Sequence, residues 1–258
     1  MGIVQGIGDL TAQMYERVLM EQIKSDKVPH HIGIITDGNR RYAKNNNISD
    51  EEGHVQGKKK LEEVLEWCME IGVHTVTVYG FSTENFNRNP DEVDFLLRLI
   101  NGALLDLMKD QRVFKNRIRV KVIGDPNRLP DYLRKTIDEV ERTTEDFEKF
   151  RLNIAVGYGG REEIISAIKS IVKDVEDKKI QVDDINEGIF RKYLYDKTSP
   201  DPDLILRTSG EERISNFLLW QSAYSELYFS EVNWPELRKV DFLKAIASYQ
   251  QRKRRFGK

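Results

Sequence analysis

The chain has 258 residues, of which 39% are hydrophobic and 33% are charged, and its formal net charge is −2. This composition is typical of a globular protein with a heavily charged surface, and the small net charge argues against a nucleic-acid-binding role. No apolar run approaches the ~18 residues that a membrane-spanning helix needs, and the first ten residues do not resemble a signal peptide. The single cysteine, Cys68, excludes an internal disulfide and is expected in the core. We therefore expect a cytoplasmic protein, with peripheral contact at the inner face of the cell membrane left open.

Short apolar runs alternate with amphipathic helical patterns along the chain. The predicted strands begin at 31 and cover 73–80, 118–123, 152–156, 203–206 and 225–229. The predicted helices cover 10–24, a short segment through 43, 54–71, 91–109, 130–147, a segment ending near 175, 189–195 and 241–252. An acidic loop is predicted over 49–53.

About six strands alternate with helices in this prediction, and neither a repeat nor a long linker interrupts them. The pattern predicts a single α/β domain with a mostly parallel sheet and helices on both faces. Residues 1–28 are expected to contribute an amphipathic helix packed on a domain formed by residues 29–258. The apolar stripe of the 91–109 helix suits either plain core packing or the wall of an apolar tunnel.

The first strand is followed directly by Asp37-Gly38-Asn39-Arg40-Arg41, where a helix is predicted to begin. A helix N-terminus favours anions, and arginines suit phosphate. Because a carboxylate repels phosphate, Asp37 makes sense if Mg²⁺ lies between them. The alternative is an ordinary strand-to-helix turn with Asn39 as the N-cap and solvated arginines.

Polar clusters also follow two later strands, and parallel strands should bring all three clusters to one sheet edge. The clusters are Asp37 to Arg41; Ser82, Asn85 and Arg88; and Arg207, Arg213 and Ser215. Such an edge can hold two phosphate-bearing groups side by side, and Glu226 is a candidate second carboxylate for the cation. No nucleophile dyad appears, which favours transfer between two bound anions by positioning and electrostatics.

Two weaker signals accompany these clusters. His54 and Lys58 to Lys60 lie at the predicted start of a helix, where the dipole disfavours cations unless an anion binds there. The glycine-rich turn from Gly157 to Gly160 is able to cradle phosphate, but it lacks the spacing of a known phosphate-binding motif. The alternatives are a solvated surface and an ordinary turn.

Three long segments resemble the signature segments of the cis-prenyltransferases, the family of undecaprenyl and dehydrodolichyl diphosphate synthases. They are HIGIITDGNRRYAK from His31, VTVYGFSTENFNR from Val76 and LILRTSGEERISNFLLWQSAYSELYF from Leu204. The resemblance spans nearly the whole chain from Pro29. It implies a homodimeric α/β enzyme that uses Mg²⁺ to condense isopentenyl diphosphate onto an allylic diphosphate, with each new double bond cis.

The resemblance also implies roles for individual residues. Asp37 matches the Mg-linked catalytic aspartate, Asn85 the residue that accepts or relays the lost proton, and Glu226 a metal-linked carboxylate from the dimer region. Substrate-binding positions are matched by Gly38, Asn39, Arg40, Arg41, Tyr42, His54, Ser82, Thr83, Glu84, Phe86, Arg88, Arg207, Arg213, Ile214, Ser215, Arg255 and Gly257. Within this set, Arg207, Arg213 and Ser215 match the isopentenyl diphosphate site. Arg255 and Gly257 match a C-terminal segment that reaches the partner subunit's active site.

Departures from the bacterial pattern point to the archaeal and eukaryotic branch. Arg40 and Tyr42 replace the usual Gly and Trp, and Glu212 stands where bacterial members commonly have a metal-linked His. This branch implies geranylgeranyl diphosphate as the starter, with farnesyl diphosphate as the alternative. The product would be a long polycis-polyprenyl diphosphate, the precursor of a glycosyl carrier lipid.

Two other functions fit parts of the sequence. A haloacid-dehalogenase-like phosphohydrolase would explain an apolar strand ending in Asp37, but Asn39 stands where that family has a second aspartate. A non-catalytic accessory subunit of a heteromeric cis-prenyltransferase would lack the catalytic aspartate, whereas Asp37 and Asn85 are both present.

Overall fold

A computed structural model of the chain describes residues 14–252. The helices are α1 (14–24), α2 (Asn39–Asn46), α3 (Asp50–Ile71), α4 (Pro90–Lys109), α5 (Gln111–Lys115), α6 (Asp131–Thr143), α7 (Gly160–Glu176), α8 (Glu187–Arg191) and α9 (Lys239–Gln251). The strands are β1 (His31–Ile35), β2 (Thr75–Ser82), β3 (Ile118–Ile123), β4 (Phe150–Tyr158), β5 (Leu204–Arg207) and β6 (Glu226–Phe229). The predicted N-terminal helix is confirmed over 14–24, and its expected first residues lie outside the described part of the chain.

The strands form one six-stranded sheet in the order β3-β4-β2-β1-β5-β6. The β1–β5, β5–β6 and β3–β4 pairs are parallel. The predicted α/β class with about six strands is therefore confirmed. No helix within residues 14–252 has the length and apolar character needed to cross a bilayer. The apolar tunnel stays a prediction.

The chain is built from two compact units. Within the described residues, the first comprises residues 14–76, 202–212 and 226–252, and the second comprises residues 77–201 and 213–225. The predicted division at residue 28 follows sequence order, whereas these units each gather segments that are distant in sequence.

The first unit is organised around β1, whose five residues are all buried. Ile32 to Ile35 pair in register with Leu204 to Arg207 of β5. Cys68 is fully buried on α3, as predicted, and burial raises the pKa of its thiol. A free thiol in this setting acts as a small hydrophobic side chain.

Helix α3 begins earlier than the sequence pattern predicted. Ser49 is its N-cap: the Ser49 hydroxyl accepts a hydrogen bond from the Glu52 backbone N–H, and the Glu52 side chain accepts one from the Ser49 N–H. This reciprocal capping box satisfies two backbone donors, and acidic residues suit the first turn of a helix. The predicted acidic loop over 49–53 is therefore wrong, because its residues cap and start a helix.

The second unit contains a buried polar network centred on Asn153 of β4. Asn153 Nδ2 lies within hydrogen-bonding distance of Thr77 Oγ1, Asp196 Oδ2 and Ser199 Oγ, at 2.9–3.2 Å. Burial alone would raise the pKa of Asp196, but hydrogen bonds from the Ser199 side chain and from the Thr198 and Ser199 backbone lower it to about 2. The network fixes the segment that leads out of α8 onto the sheet.

Asp196 should make stability fall in acid. Its folded-state pKa lies below the unfolded value, so its contribution is present above about pH 4 and is lost as the pH falls toward 2. We expect the free-energy difference between the wild type and Asp196→Asn to be about 1 kcal/mol smaller at pH 3 than at pH 6. Urea unfolding at the two pH values measures this. The exposed control Asp183→Asn should show no such change, and an unchanged difference for Asp196→Asn would contradict the assignment.

Candidate active site

An ion pair joins the ends of two neighbouring parallel strands in the first unit. Arg207 ends β5, pairs in register with Ile35 of β1, and donates from Nη2 to Asp37 Oδ2 at 2.8 Å. Arg207 is only 4% exposed, whereas the Asp37 side chain is 32% exposed. The Thr208 hydroxyl donates to the Asp37 carbonyl at 2.7 Å. Arg207 of the third predicted cluster therefore meets Asp37 of the first, and Asp37 presents a partly open carboxylate.

Helix α2 begins immediately after this carboxylate. Its N-cap is Gly38, with φ of 105°, and no side chain caps the helix there. A Cβ at this position would lie 2.7 Å from Asn233 Oδ1, so both the turn and the close approach require glycine. The alternative reading with Asn39 as the N-cap is wrong, because only glycine adopts this turn readily and Asn39 becomes the first helical residue. A helix N-terminus without a side-chain cap favours an anion, because its first backbone N–H groups lack helical partners.

The two arginines of α2 have different surroundings. The Arg41 guanidinium donates to the Ser209 carbonyl, the Ser209 hydroxyl and the Glu211 carboxylate. Arg40 is exposed and Tyr42 is half-buried. Sequence reasoning did not identify Glu211 as a partner of Arg41. The only available signal was its position soon after β5, since a contact over this sequence distance leaves no periodic pattern.

His54 lies in the second turn of α3 and is half-buried. Because α3 begins at Asp50, His54 and Lys58 to Lys60 are not at a helix N-terminus. The helix dipole therefore does not call for an anion at His54 and the lysines, and that prediction is wrong. A substrate-binding role for His54 stays a prediction. Gly53 and Gly57 of the same helix pack closely against Asn39, since a Cβ on Gly57 would lie 2.2 Å from Asn39 Oδ1.

In the second unit, β2 ends in a 3₁₀ turn over Thr83–Asn87 that Ser82 caps. The Ser82 hydroxyl accepts from the Asn85 N–H at 3.3 Å, and Asn85 Oδ1 accepts from the Ser82 N–H at 2.9 Å. These reciprocal bonds fix both side chains. Because Oδ1 of Asn85 is engaged by the backbone, its Nδ2 is the group that it offers to other partners.

The remaining predicted residues of this turn lie in well-defined contacts. Phe86 packs edge-on against Phe81 at 4.8 Å, and the Arg128 guanidinium lies 4.5 Å from its ring centroid. Arg88 forms an ion pair with Glu92 at 2.8 Å. Thr83 is buried and Glu84 is exposed. Burial tends to raise the pKa of Glu84, but hydrogen bonds from its own backbone, Ser82, Asn216 and Thr83 outweigh it and lower the pKa.

The third cluster continues into the second unit as the loop that carries Arg213, Ile214 and Ser215. Arg213 and Ser215 are exposed and Ile214 is half-buried. Ser215 has φ of 45°, an uncommon value for a residue with a side chain. The Tyr79 hydroxyl donates to the Ser215 carbonyl at 3.2 Å. That this loop and the Ser82–Arg88 cluster meet the Asp37–Arg207 pair stays a prediction.

Glu226 does not join Asp37 within one chain. It starts β6, pairs in register with Leu204, and forms an ion pair with Arg252 at 2.7 Å. Leu204 lies three residues before Arg207, so Glu226 is about 10 Å along the sheet from the level of the Asp37–Arg207 pair. Glu226 as a metal ligand therefore stays a prediction that requires a second chain. Arg255 and Gly257 lie outside the described residues.

The donor set fits Mg²⁺ held jointly with a substrate. Among residues 14–252, no three His, Cys, Asp or Glu side chains form a cage for a metal. Mg²⁺ does not need one, because it is commonly bound by one or two carboxylates, water and substrate phosphates. The partly exposed Asp37 carboxylate beside the uncapped α2 N-terminus meets that description.

Comparisons with known proteins agree on one family. A family model described as putative undecaprenyl diphosphate synthase matches residues 35–257. A protein of Picrophilus torridus named tritrans,polycis-undecaprenyl-diphosphate synthase (geranylgeranyl-diphosphate specific) is 68% identical over 97% of this chain and 98% of its own length. A protein of the same name from Thermoplasma acidophilum is 62% identical over the full length of both chains.

Solved structures extend this similarity to the fold. The crystal structure of lavandulyl diphosphate synthase from Lavandula x intermedia in complex with dimethylallyl diphosphate aligns with a TM-score of 0.86 and 36% identity. The alignment covers 90% of this chain and 99% of that one. A probable undecaprenyl diphosphate synthase from Campylobacter jejuni aligns with a TM-score of 0.74, also at 36% identity, over 90% of this chain and all of that one.

Proposed function

Because this chain belongs to the undecaprenyl diphosphate synthase family of cis-prenyltransferases, we propose that it condenses isopentenyl diphosphate repeatedly onto geranylgeranyl diphosphate. The product is a long polycis-polyprenyl diphosphate that serves as the precursor of a glycosyl carrier lipid. The observation that carries the proposal is the 62–68% identity, over almost the whole chain, to relatives whose names specify geranylgeranyl diphosphate. The family assignment leaves no support for the phosphohydrolase alternative.

Incubation of the purified chain with Mg²⁺, labelled isopentenyl diphosphate and C10, C15 or C20 starters tests this function. We expect kcat/KM to be highest for the C20 starter, and product sizing gives the chain length. Highest efficiency with the C15 starter would contradict the starter assignment alone. Inactivity of the purified chain with every starter, restored by a second protein, would instead favour the accessory-subunit alternative.

Asp37 would hold Mg²⁺ together with the allylic diphosphate. The cation, when bound, supplies Lewis-acid stabilisation of the charge that develops on the departing diphosphate. Asp37 is suited to this because its carboxylate is partly open while the bond to Arg207 fixes its orientation. The second carboxylate in the proposal is Glu226 from a partner chain.

The allylic diphosphate would bind at the N-terminus of α2. The uncapped backbone N–H groups beside Gly38 and the Arg40 side chain provide donors and positive charge. Arg41 already pairs with Glu211, so a bound diphosphate must compete with that carboxylate for the guanidinium. Asn39, Tyr42 and His54 complete the proposed allylic site.

Isopentenyl diphosphate would be held by Arg207, Arg213 and Ser215, with Ile214 beside them. The residues of the turn after β2 would also contact substrate; they are Ser82, Thr83, Glu84, Phe86 and Arg88.

In each cycle, C4 of isopentenyl diphosphate forms a bond to C1 of the allylic substrate as the C1–O bond breaks. The C2 proton is then lost and the new double bond forms. Each step requires the two substrates to be held in line and dry.

The orientation of Asn85 restricts its role in that proton loss. Its Oδ1 accepts from the Ser82 N–H, so its Nδ2 is the group available to substrate. An amide nitrogen donates hydrogen bonds and does not take up protons near neutral pH. We therefore assign Asn85 the role of orienting a diphosphate oxygen or a water that accepts the proton, rather than that of a base.

Asp37→Asn should preserve the fold and remove turnover. The amide retains an oxygen for the Arg207 bond but loses the charge that binds the cation, so we expect kcat to fall at least about a hundredfold. Urea unfolding checks folding, and steady-state incorporation of labelled isopentenyl diphosphate measures the rate. Asp26→Asn, on an exposed carboxylate of the same unit, is the matched control. Turnover within a few-fold of wild type in Asp37→Asn would refute the catalytic assignment.

We propose a homodimer, supported by an apolar stripe on α7. Ile165, Ile168 and Val172 are 45–52% exposed and lie one turn or two apart on one face. Exposed apolar stripes of this kind commonly mark interfaces. The partner's C-terminal residues Arg255 and Gly257 would then reach the active site.

Ile168→Glu should shift the protein toward monomer, because it places a charge in the proposed apolar interface. Sedimentation velocity measures the change in association. The control Ser170→Glu adds the same charge on an exposed position of the same helix away from the stripe. Equal association of the two variants would argue against α7 as the interface.

A further inference from the structure

The loop after Arg213 has a strained backbone. Ser215, Asn216 and Leu218 all have positive φ, at 45°, 64° and 45°. Residues with side chains adopt this region rarely, and such conformations persist where surrounding contacts over-determine them. Asn216 makes several of the hydrogen bonds that hold this loop.

Asn216 caps a helix that has no cap of its own. The residue before α7 is Gly159, which has no side chain to offer. Instead, the Asn216 carbonyl accepts from the Gly160 N–H at 2.7 Å, and Asn216 Oδ1 accepts from the Arg161 N–H at 2.9 Å. A residue distant in sequence therefore satisfies the donors that a local N-cap usually satisfies.

The other end of the Asn216 amide binds two carboxylates. Nδ2 donates to Glu84 Oε1 and to Glu162 Oε2, both at 3.1 Å. Thr83 Oγ1 lies 3.2 Å from Glu84 Oε2 and 3.3 Å from Glu162 Oε1. The amide orientation is unambiguous, since the opposite one would direct its oxygen at both carboxylates. Glu84 belongs to the 3₁₀ turn that also carries Asn85.

Gly159 and Gly160, at the start of α7, leave room for Asn216. A Cβ on Gly159 would lie 2.8 Å from Asn216 Nδ2 and 2.2 Å from Glu162 Oε2. A Cβ on Gly160 would lie 3.0 Å from the Asn216 carbonyl oxygen and 2.7 Å from Leu219 Cγ. The glycine-rich turn considered as a phosphate cradle is thus filled by a side chain of the protein itself.

We propose that Asn216 is a positioning residue that holds the Arg213–Ser215 loop and the Thr83–Asn87 turn in one arrangement against the start of α7. The inference rests on the proposed function, in which Arg213 and Ser215 bind isopentenyl diphosphate. A loop ordered before binding loses less conformational freedom when the substrate arrives. Loss of the Asn216 contacts should therefore weaken isopentenyl diphosphate binding more than binding of the allylic substrate.

Three substitutions at Asn216 separate its contacts. Asn216→Gly keeps the positive φ at no steric cost but removes the three side-chain hydrogen bonds, whereas Asn216→Ala also strains the backbone. We expect KM for isopentenyl diphosphate to rise roughly three- to tenfold in both, with KM for the allylic diphosphate changed less than twofold. Asn216→Asp should be worse, because its carboxylate faces Glu84 and Glu162.

Rescue distinguishes positioning from a general loss of stability. In Asn216→Asp/Glu162→Gln, the glutamine amide can donate to the new carboxylate, and we expect part of the KM increase to be recovered. The control Asn186→Ala removes the N-cap of α8 in the same unit, where the side chain accepts from the Ile189 N–H at 3.0 Å. It should lower thermal stability similarly while leaving both KM values unchanged.

Arg213→Ala in the same series tests the isopentenyl diphosphate site separately from the positioning role of Asn216. A raised KM for isopentenyl diphosphate in Arg213→Ala, with unchanged KM in Asn216→Gly and Asn216→Ala, would overturn the positioning role alone. An unchanged KM in Arg213→Ala would overturn the loop as the isopentenyl diphosphate site, and the positioning role with it. Equal increases in the two KM values, or no recovery in the double variant, would also count against Asn216.

Discussion

The ion pair between Asp37 and Arg207 is the contact on which the first unit's site depends. Arg207 is almost fully buried at the end of β5, and a buried guanidinium is costly unless a carboxylate compensates its charge. Asp37, at the end of the neighbouring parallel strand, provides that carboxylate and is fixed by it. The glycine turn into α2 follows directly, so the same contact sets where the N-terminus of that helix lies. A carboxylate and a helix N-terminus, which favours anions, are thereby held side by side, as the proposed Mg–diphosphate site requires.

In the second unit, a neutral side chain, that of Asn216, fixes the segments that are proposed to bind substrate. Asn216 uses its carbonyl and Oδ1 to cap α7 and its Nδ2 to bind Glu84 and Glu162, so one residue connects a strained loop, a helix end and a 3₁₀ turn. In both units, polar contacts fix the segments that are proposed to bind diphosphate. Such contacts fix orientation at the surface, where substrates must enter and products must leave.

Hydrophobic periodicity predicted the six strands and most helices to within a few residues, because burial of one face or one short run imposes a local pattern. It failed where short-range hydrogen bonds decided the outcome. The acidic composition of the segment after Ser49 predicts a loop, yet the capping box makes this segment the first turn of α3. That error misplaced His54 and the lysines at a helix start. Asparagine is a common N-cap, but this turn requires the positive φ of Gly38, so Asn39 is the first helical residue instead.

By itself, the sequence determined the order of strands and helices, the clusters of polar residues at strand ends and the family, since each of these is a pattern among residues close together in the chain. Only the tertiary structure decided which groups those residues meet. Arg41 faces Glu211, Glu226 pairs with Arg252 at another level of the sheet, and the Gly159–Gly160 turn receives Asn216 instead of a phosphate. These contacts join residues far apart in sequence, and a linear pattern carries no record of a distance that folding alone creates.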